Sequence, residues 1–196
     1  MRPRLLVLVR ALVLAVGVAC QPRSALPVLW QGPDFALTDQ TGRPFASSEL
    51  AGKVVVANFV FTSCTDVCPL LTGTMARVRD ELRSARLLGD KAMLVSFSVD
   101  PEHDTPAALA DYGAHFGADP AEWKFLTGER RQIDDLLTLG YKVGAPPRVP
   151  KPGAAPEIVH TNRFVLVDPR GQVRALLHGD ELDVPQLVEE VRRLAS

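Results

Sequence analysis

Cysteine is scarce in this chain, with three among 196 residues. One of them, Cys20, falls at the end of an apparent export signal. Cys64 and Cys68 therefore carry all the thiol chemistry open to a folded domain. A surplus of positive charge is also missing. With 22 basic and 23 acidic residues the formal net charge is −1, which gives no basic field for nucleic acid. An uninterrupted span of ~20 apolar residues, the length that crosses a bilayer, is absent from the N-terminus because Arg10 divides it. There is no internal repeat and no sign of a second domain. What remains is an ordinary globular composition, 46% hydrophobic and 23% charged, long enough for one domain with a full core plus a leader and a tether.

The first 19 residues read as a signal peptide. Arg2 and Arg4 precede a short apolar stretch at 5–9, and a second runs from 11 to 19 after Arg10. Retention as an uncleaved anchor, with Arg10 near the cytoplasmic edge, is the second reading. Val16-Gly17-Val18-Ala19 before Cys20 resembles a bacterial lipoprotein signal, which implies lipidation of Cys20 at the mature N-terminus. Gly17 stands where a larger aliphatic residue is usual. Gly17-Val18-Ala19 also fits the small-x-small pattern of ordinary signal peptidase, but that cut leaves an odd free thiol on an exported protein. Residues 20–33, with prolines at 22, 27 and 33, are expected to form an extended tether, and 34–196 the domain. Loss of Arg2, Arg4 and Arg10 with the leader leaves 19 of the 22 basic groups against 23 acidic ones, a net charge near −4. The expected location is the outer, periplasmic face of a bacterial inner membrane.

Along the domain, 34–46 suggests an entry hairpin, and the run 53–61 a strand buried on both faces, as in a parallel sheet. The cysteine loop follows, then a helix over about 69–88 with Leu71, Met75, Val78 and Leu82 at helical spacing. A second buried strand is expected at 92–99. A helix capped by Thr105 with Pro106 at its first position should run to about Phe116. A short strand at 123–126 and a helix at 130–139 come next. Five prolines between 144 and 156 argue against regular structure there and mark a long loop of the functional kind. Strands at 158–167 and 172–177 around an Asp168-Pro169-Arg170-Gly171 turn, and a helix at 184–194, close the chain. Strands alternating with helices and ending in a hairpin plus helix give an α/β fold around a mixed sheet.

This order places Cys64 and Cys68 just past a central strand, where reactive groups gather in open α/β sheets. Three intervening residues put the two sulfurs one helical turn apart, on one face, wherever the segment is helical. Such a pair can close a disulfide or grip a soft metal ion, and Cys68 at a helix start is expected to favour the thiolate. A metal held by two thiolates wants a third ligand. His103, His115 and His178 read as solvated or capping residues. His160, just past the proline-rich loop, is placed where that loop could bring it over the cysteines; position alone leaves its role open.

Phe-x-Phe-Thr-Ser-Cys-x-x-x-Cys-Pro at 59–69, Ser-Val-Asp-Pro-Glu-x-Asp-Thr-Pro at 98–106, and a histidine before Phe-x-Leu-x-Asp-Pro-x-Gly at 160–171 together resemble the Sco/SenC family. The resemblance covers roughly 32–194. It implies a thioredoxin-like fold and a copper chaperone that helps assemble the binuclear copper centre of cytochrome c oxidase subunit II. It further implies Cys64, Cys68 and His160 as ligands for Cu(I) or Cu(II), and Asp100 beside the site rather than on the metal. Thiolates suit Cu(I), and an added imidazole lets one site also accept Cu(II). From the residues alone Asp100 is equally a turn-forming Asp-Pro. Thr65 departs from the proline that often follows the first cysteine in the family. The partners implied are subunit II, a copper donor and the membrane; no nucleic acid is expected, and the chain is expected to be a monomer. Two other activities use the same thiols. A thiol–disulfide oxidoreductase would reduce cysteines of the oxidase subunit or of other exported proteins. A thiol peroxidase would need Pro-x-x-x-Thr-x-x-Cys, and Thr62 lies only two residues before Cys64.

Overall fold

The computed structural model describes residues 26–64, 67–145, 148–151, 154–158 and 162–196. Two strands form its centre, β4 (Val54–Val60) and β5 (Ala92–Ser98), paired in parallel and buried at every position. Their unbroken apolar, β-branched character suits strands covered on both faces. Around them the sheet runs β1 (Trp30–Gln31), β10 (Gln172–His178), β9 (Arg163–Val167), β4, β5, β6 (Trp123–Thr127), β2 (Ala36–Asp39), β3 (Pro44–Ala46). Strands β4, β5 and β6 are parallel, whereas β9 is antiparallel to β4, so the sheet is mixed.

Helix α1 (Val67–Ser84) crosses from β4 to β5 and buries Leu71, Met75, Val78 and Leu82, the apolar stripe legible in the sequence. It ends four residues earlier than the expected helix, and Arg86 and Gly89 follow with positive φ. Helix α2 (Pro106–His115) starts as its residues dictate: the Thr105 hydroxyl accepts the Ala108 amide and Pro106 occupies the first turn. Thr72 of α1 and Tyr112 of α2 share a hydrogen bond of 2.8 Å, and α1 also packs on α4 (Val184–Leu194), so all three helices cover one face. Helix α3 (Arg130–Asp135) runs into a wider turn at Leu136–Gly140, which delivers Tyr141 onto Phe59 and Phe97.

Three expectations change. Residues 26–33 are not free tether: Trp30 and Gln31 pair with Val173 and Gln172 at the sheet edge. The proline-rich stretch is not irregular throughout, because β7 (Arg148–Lys151) and β8 (Ala154–Ile158) form a two-stranded hairpin. Proline is tolerated there because each strand has an outer edge that needs no N–H, and the pairing shifts register between Val149 and Lys151, at Pro150. The single strand expected at 158–167 is divided, with Ile158 ending β8 and Arg163 starting β9. Among the described residues no helix is long and apolar enough to cross a membrane.

Candidate metal and dithiol site

The site lies at the carboxyl ends of β4 and β5. Past β4 the chain turns sharply, with the Cys64 amide donating to the Phe61 carbonyl at 3.3 Å, and it re-enters as α1. Cys68 is the second residue of that helix. Its amide, one of the first-turn donors that a helix leaves without an internal partner, donates to Cys64 Sγ at 3.3 Å. That bond folds the Cys64 sulfur back over the start of the helix that carries Cys68. Both cysteines are free thiols; Cys64 is partly exposed and Cys68 fully buried.

Cys68 does not behave as its position at a helix start suggests. Burial pushes its thiol far above the usual value, a backbone hydrogen bond at Phe61 works the other way without overcoming it, and the neighbouring Cys64 adds to the rise. Desolvation outweighs the helix terminus here because the sulfur has no solvent to stabilise its charge. A soft cation held by Cys64 and Cys68 would supply the compensating charge that water cannot, and the donor set of two sulfurs suits such an ion.

What pins this loop is Asp104. Its carboxylate accepts from the Thr62 amide at 3.1 Å, the Thr62 hydroxyl at 2.6 Å and the Ser98 hydroxyl at 2.6 Å. It thereby ties the cysteine loop after β4 to the turn after β5. Burial raises the Asp104 carboxyl above its ordinary range, with the Ser98 and Thr62 hydrogen bonds opposing. Asp104 and Ser98 do not stand out in the sequence, and Thr62 does so only for its spacing from Cys64, although all three fall within the quoted segments. The signal was their type: a carboxylate and two hydroxyls at strand ends, each needing a partner once buried.

Asp100 is buried four residues earlier. Its Oδ2 lies 2.9 Å from His103 Nδ1 and its Oδ1 3.5 Å from Arg130, while its own amide donates to Ser98 Oγ at 3.0 Å. Arg130 also donates to the Val99 carbonyl at 3.0 Å. The structure thus brings Cys64 and Cys68 together and sets Asp100 one hydroxyl away from the carboxylate that holds their loop. His160 and Cys20 lie outside the described residues, as does the leader.

The SCO1/SenC family pattern matches residues 28–196. The fold is similar to the crystal structure of a SCO1/SenC family lipoprotein from Bacillus anthracis, with a TM-score of 0.77 and 31% identity, covering 85% of this chain and 96% of that one. It is similar to BsSco, a member of the Sco family of cytochrome c oxidase assembly proteins in which a disulfide switch was identified, at TM-score 0.74 and 28% identity over 88% of this chain and 97% of the other. Copper-bound ScoI of Bradyrhizobium japonicum matches at TM-score 0.67 and 27% identity, over 84% of this chain and 99% of that chain. The chain belongs to the SCO1/SenC family.

Proposed function

We propose that this chain is a copper-binding metallochaperone that delivers copper to, or prepares, the binuclear copper site of cytochrome c oxidase subunit II, with Cys64, Cys68 and His160 as ligands. The observation that carries the reading is the placing of two cysteines outside any disulfide, one buried and one partly exposed, side by side at the strand ends, with the Cys68 amide 3.3 Å from Cys64 Sγ. Copper is cargo here. The thiol pair takes up Cu(I), the partly exposed Cys64 offers the side from which an acceptor can draw the ion, and an imidazole from His160 completes a site that also accepts Cu(II). Family membership and the copper-bound relative support this, and the lipoprotein relative supports lipidation of Cys20 and anchoring at the periplasmic face of the inner membrane. The chain acts as a monomer in this reading.

His160 separates chaperone from plain dithiol. His160→Ala is expected to weaken Cu(II) binding at least tenfold, about 1.4 kcal/mol, in titrations of the reduced protein, while moving the dithiol reduction potential little. Unchanged Cu(II) affinity would remove His160 from the ligand set.

A thiol–disulfide oxidoreductase is the second reading, favoured by the 3.3 Å hydrogen bond from the Cys68 amide to Cys64 Sγ, which holds the two cysteines close. In that role Cys64, the more accessible sulfur, attacks a target disulfide and Cys68 resolves the mixed disulfide from within. Turnover of an oxidised subunit II fragment by the metal-free protein tests it; failure to reduce that fragment within the lifetime of the free dithiol would count against it.

A further inference from the structure

The antiparallel pairing of β1 on β10 fixes where the chain leaves the domain toward its N-terminus. Trp30 stands opposite Val173 and Gln31 opposite Gln172, so tracing backwards from Trp30 the chain climbs β10 toward His178. Leu26 has reached Leu176, Leu177 and His178, with which it lines a cleft of about 320 Å³. That end of β10 is the cysteine end. His178 pairs with Arg163 and Leu177 with Phe164, and Phe164 pairs with Asn58, two residues before the end of β4. The exit point is held firmly. Arg174 donates to the carbonyls of Leu26 and Pro27 at 3.1 Å each, and Asp168, 2.7 Å from the same guanidinium, keeps it in place.

Chain length then sets a limit. Six residue steps separate Cys20 from Leu26, and a fully extended chain spans about 20 Å over that distance. A domain of this size is ~40 Å across. The tether cannot reach round the molecule to let the opposite end, where β4 and β5 begin, approach the same surface.

We propose that the cysteine-bearing end of the sheet is the membrane-facing end of this protein, held within about 20 Å of the bilayer surface by the segment between Cys20 and Leu26. The inference rests on anchoring at Cys20. It means that an acceptor whose copper-receiving domain stands on the same bilayer meets Cys64 without the chaperone turning over. Cys64 and the exit are three strands apart, ~14 Å across the sheet, which leaves room for that acceptor beside the tether.

The test uses the full-length lipidated chain in phosphatidylcholine vesicles that carry an energy-acceptor dye on their headgroups. A donor is attached through p-azidophenylalanine either in place of Leu70, 70% exposed and two residues past Cys68, or in place of Lys91, exposed just before β5, leaving both cysteines untouched. The two ends of a seven-residue strand are ~23 Å apart, so transfer from position 70 is expected to be roughly twofold stronger than from position 91. Insertion of ten Gly/Ser residues after Ala25 should erase the difference without touching the fold. Equal or reversed transfer in an anchored chain overturns the orientation and leaves the anchor standing. A chain that fails to float with the vesicles and has an unmodified Cys20 overturns the anchor, and the orientation with it.

Discussion

Asp104 is the residue on which the geometry of the site turns. Three donors converge on one buried carboxylate, and two of them belong to Thr62, two residues before Cys64. Replacing Asp104 with alanine leaves the half-buried Thr62 amide and two hydroxyls without their acceptor, at a cost of about 1–3 kcal/mol. We expect Asp104→Ala to lower the urea midpoint accordingly and to weaken Cu(I) retention in competition with a chelator, because Cys64 is no longer held over Cys68. A variant as stable as the parent, with unchanged retention, would show that the loop holds its shape unaided. Legibility at this scale was uneven. The cysteines announced themselves by rarity and spacing, whereas Asp104 is one of 23 acidic residues, and only the parallel pairing of β4 and β5 reveals that its turn faces theirs. The expected thiolate at Cys68 failed because sequence position reports the helix terminus and not the burial that overrides it.

The elements were mostly readable, and their exceptions share a physical origin. Continuous apolar runs and helical spacing gave β4, β5, α1 and α4, because each segment's pattern matches the surface it buries. The β7–β8 hairpin was hidden because proline speaks against strands in general but not against edge strands or bulges. β1 was hidden because a two-residue strand has no periodicity, and its partner is more than 140 residues away. One glycine governs how two elements meet beside the site. A Cβ on Gly179, just past β10, would stand 2.2 Å from Leu71 Cδ2, 2.4 Å from Asn162 Oδ1 and 3.1 Å from Phe164 Cε2. Gly179→Ala is therefore expected to destabilise the fold by about 1–3 kcal/mol as α1 and the start of β9 are pushed apart. Chemical denaturation measures it directly, and a neutral effect would mean that the Leu71 side chain yields freely.

At the scale of the whole molecule, stability should carry the signature of the sheet edge opposite β1. Burial opposes the charge on Asp39, but Lys124 at 2.8 Å, the Thr41 hydroxyl and the amides of Arg43 and Thr41 outweigh it and bring the carboxyl to about 2, from an ordinary 3.8. A depressed carboxyl stabilises the fold above its unfolded value and loses that contribution as pH falls through the folded one. The window is thus from near pH 4 down to pH 2, and the contribution is about 1–2 kcal/mol once solvent screening is allowed for. Asp39→Asn should flatten the fall in stability across that window; an unchanged acid profile would contradict the assignment. The wider claim, that a strand-end dithiol in a SCO1/SenC family protein handles copper, is tested most directly by one comparison. Reduced wild-type protein purified with copper, beside Cys64→Ser prepared identically, is analysed for metal content and for fold by circular dichroism. The account predicts close to one copper per wild-type chain and almost none in the folded variant. Equal copper in both, or none in either, would contradict it.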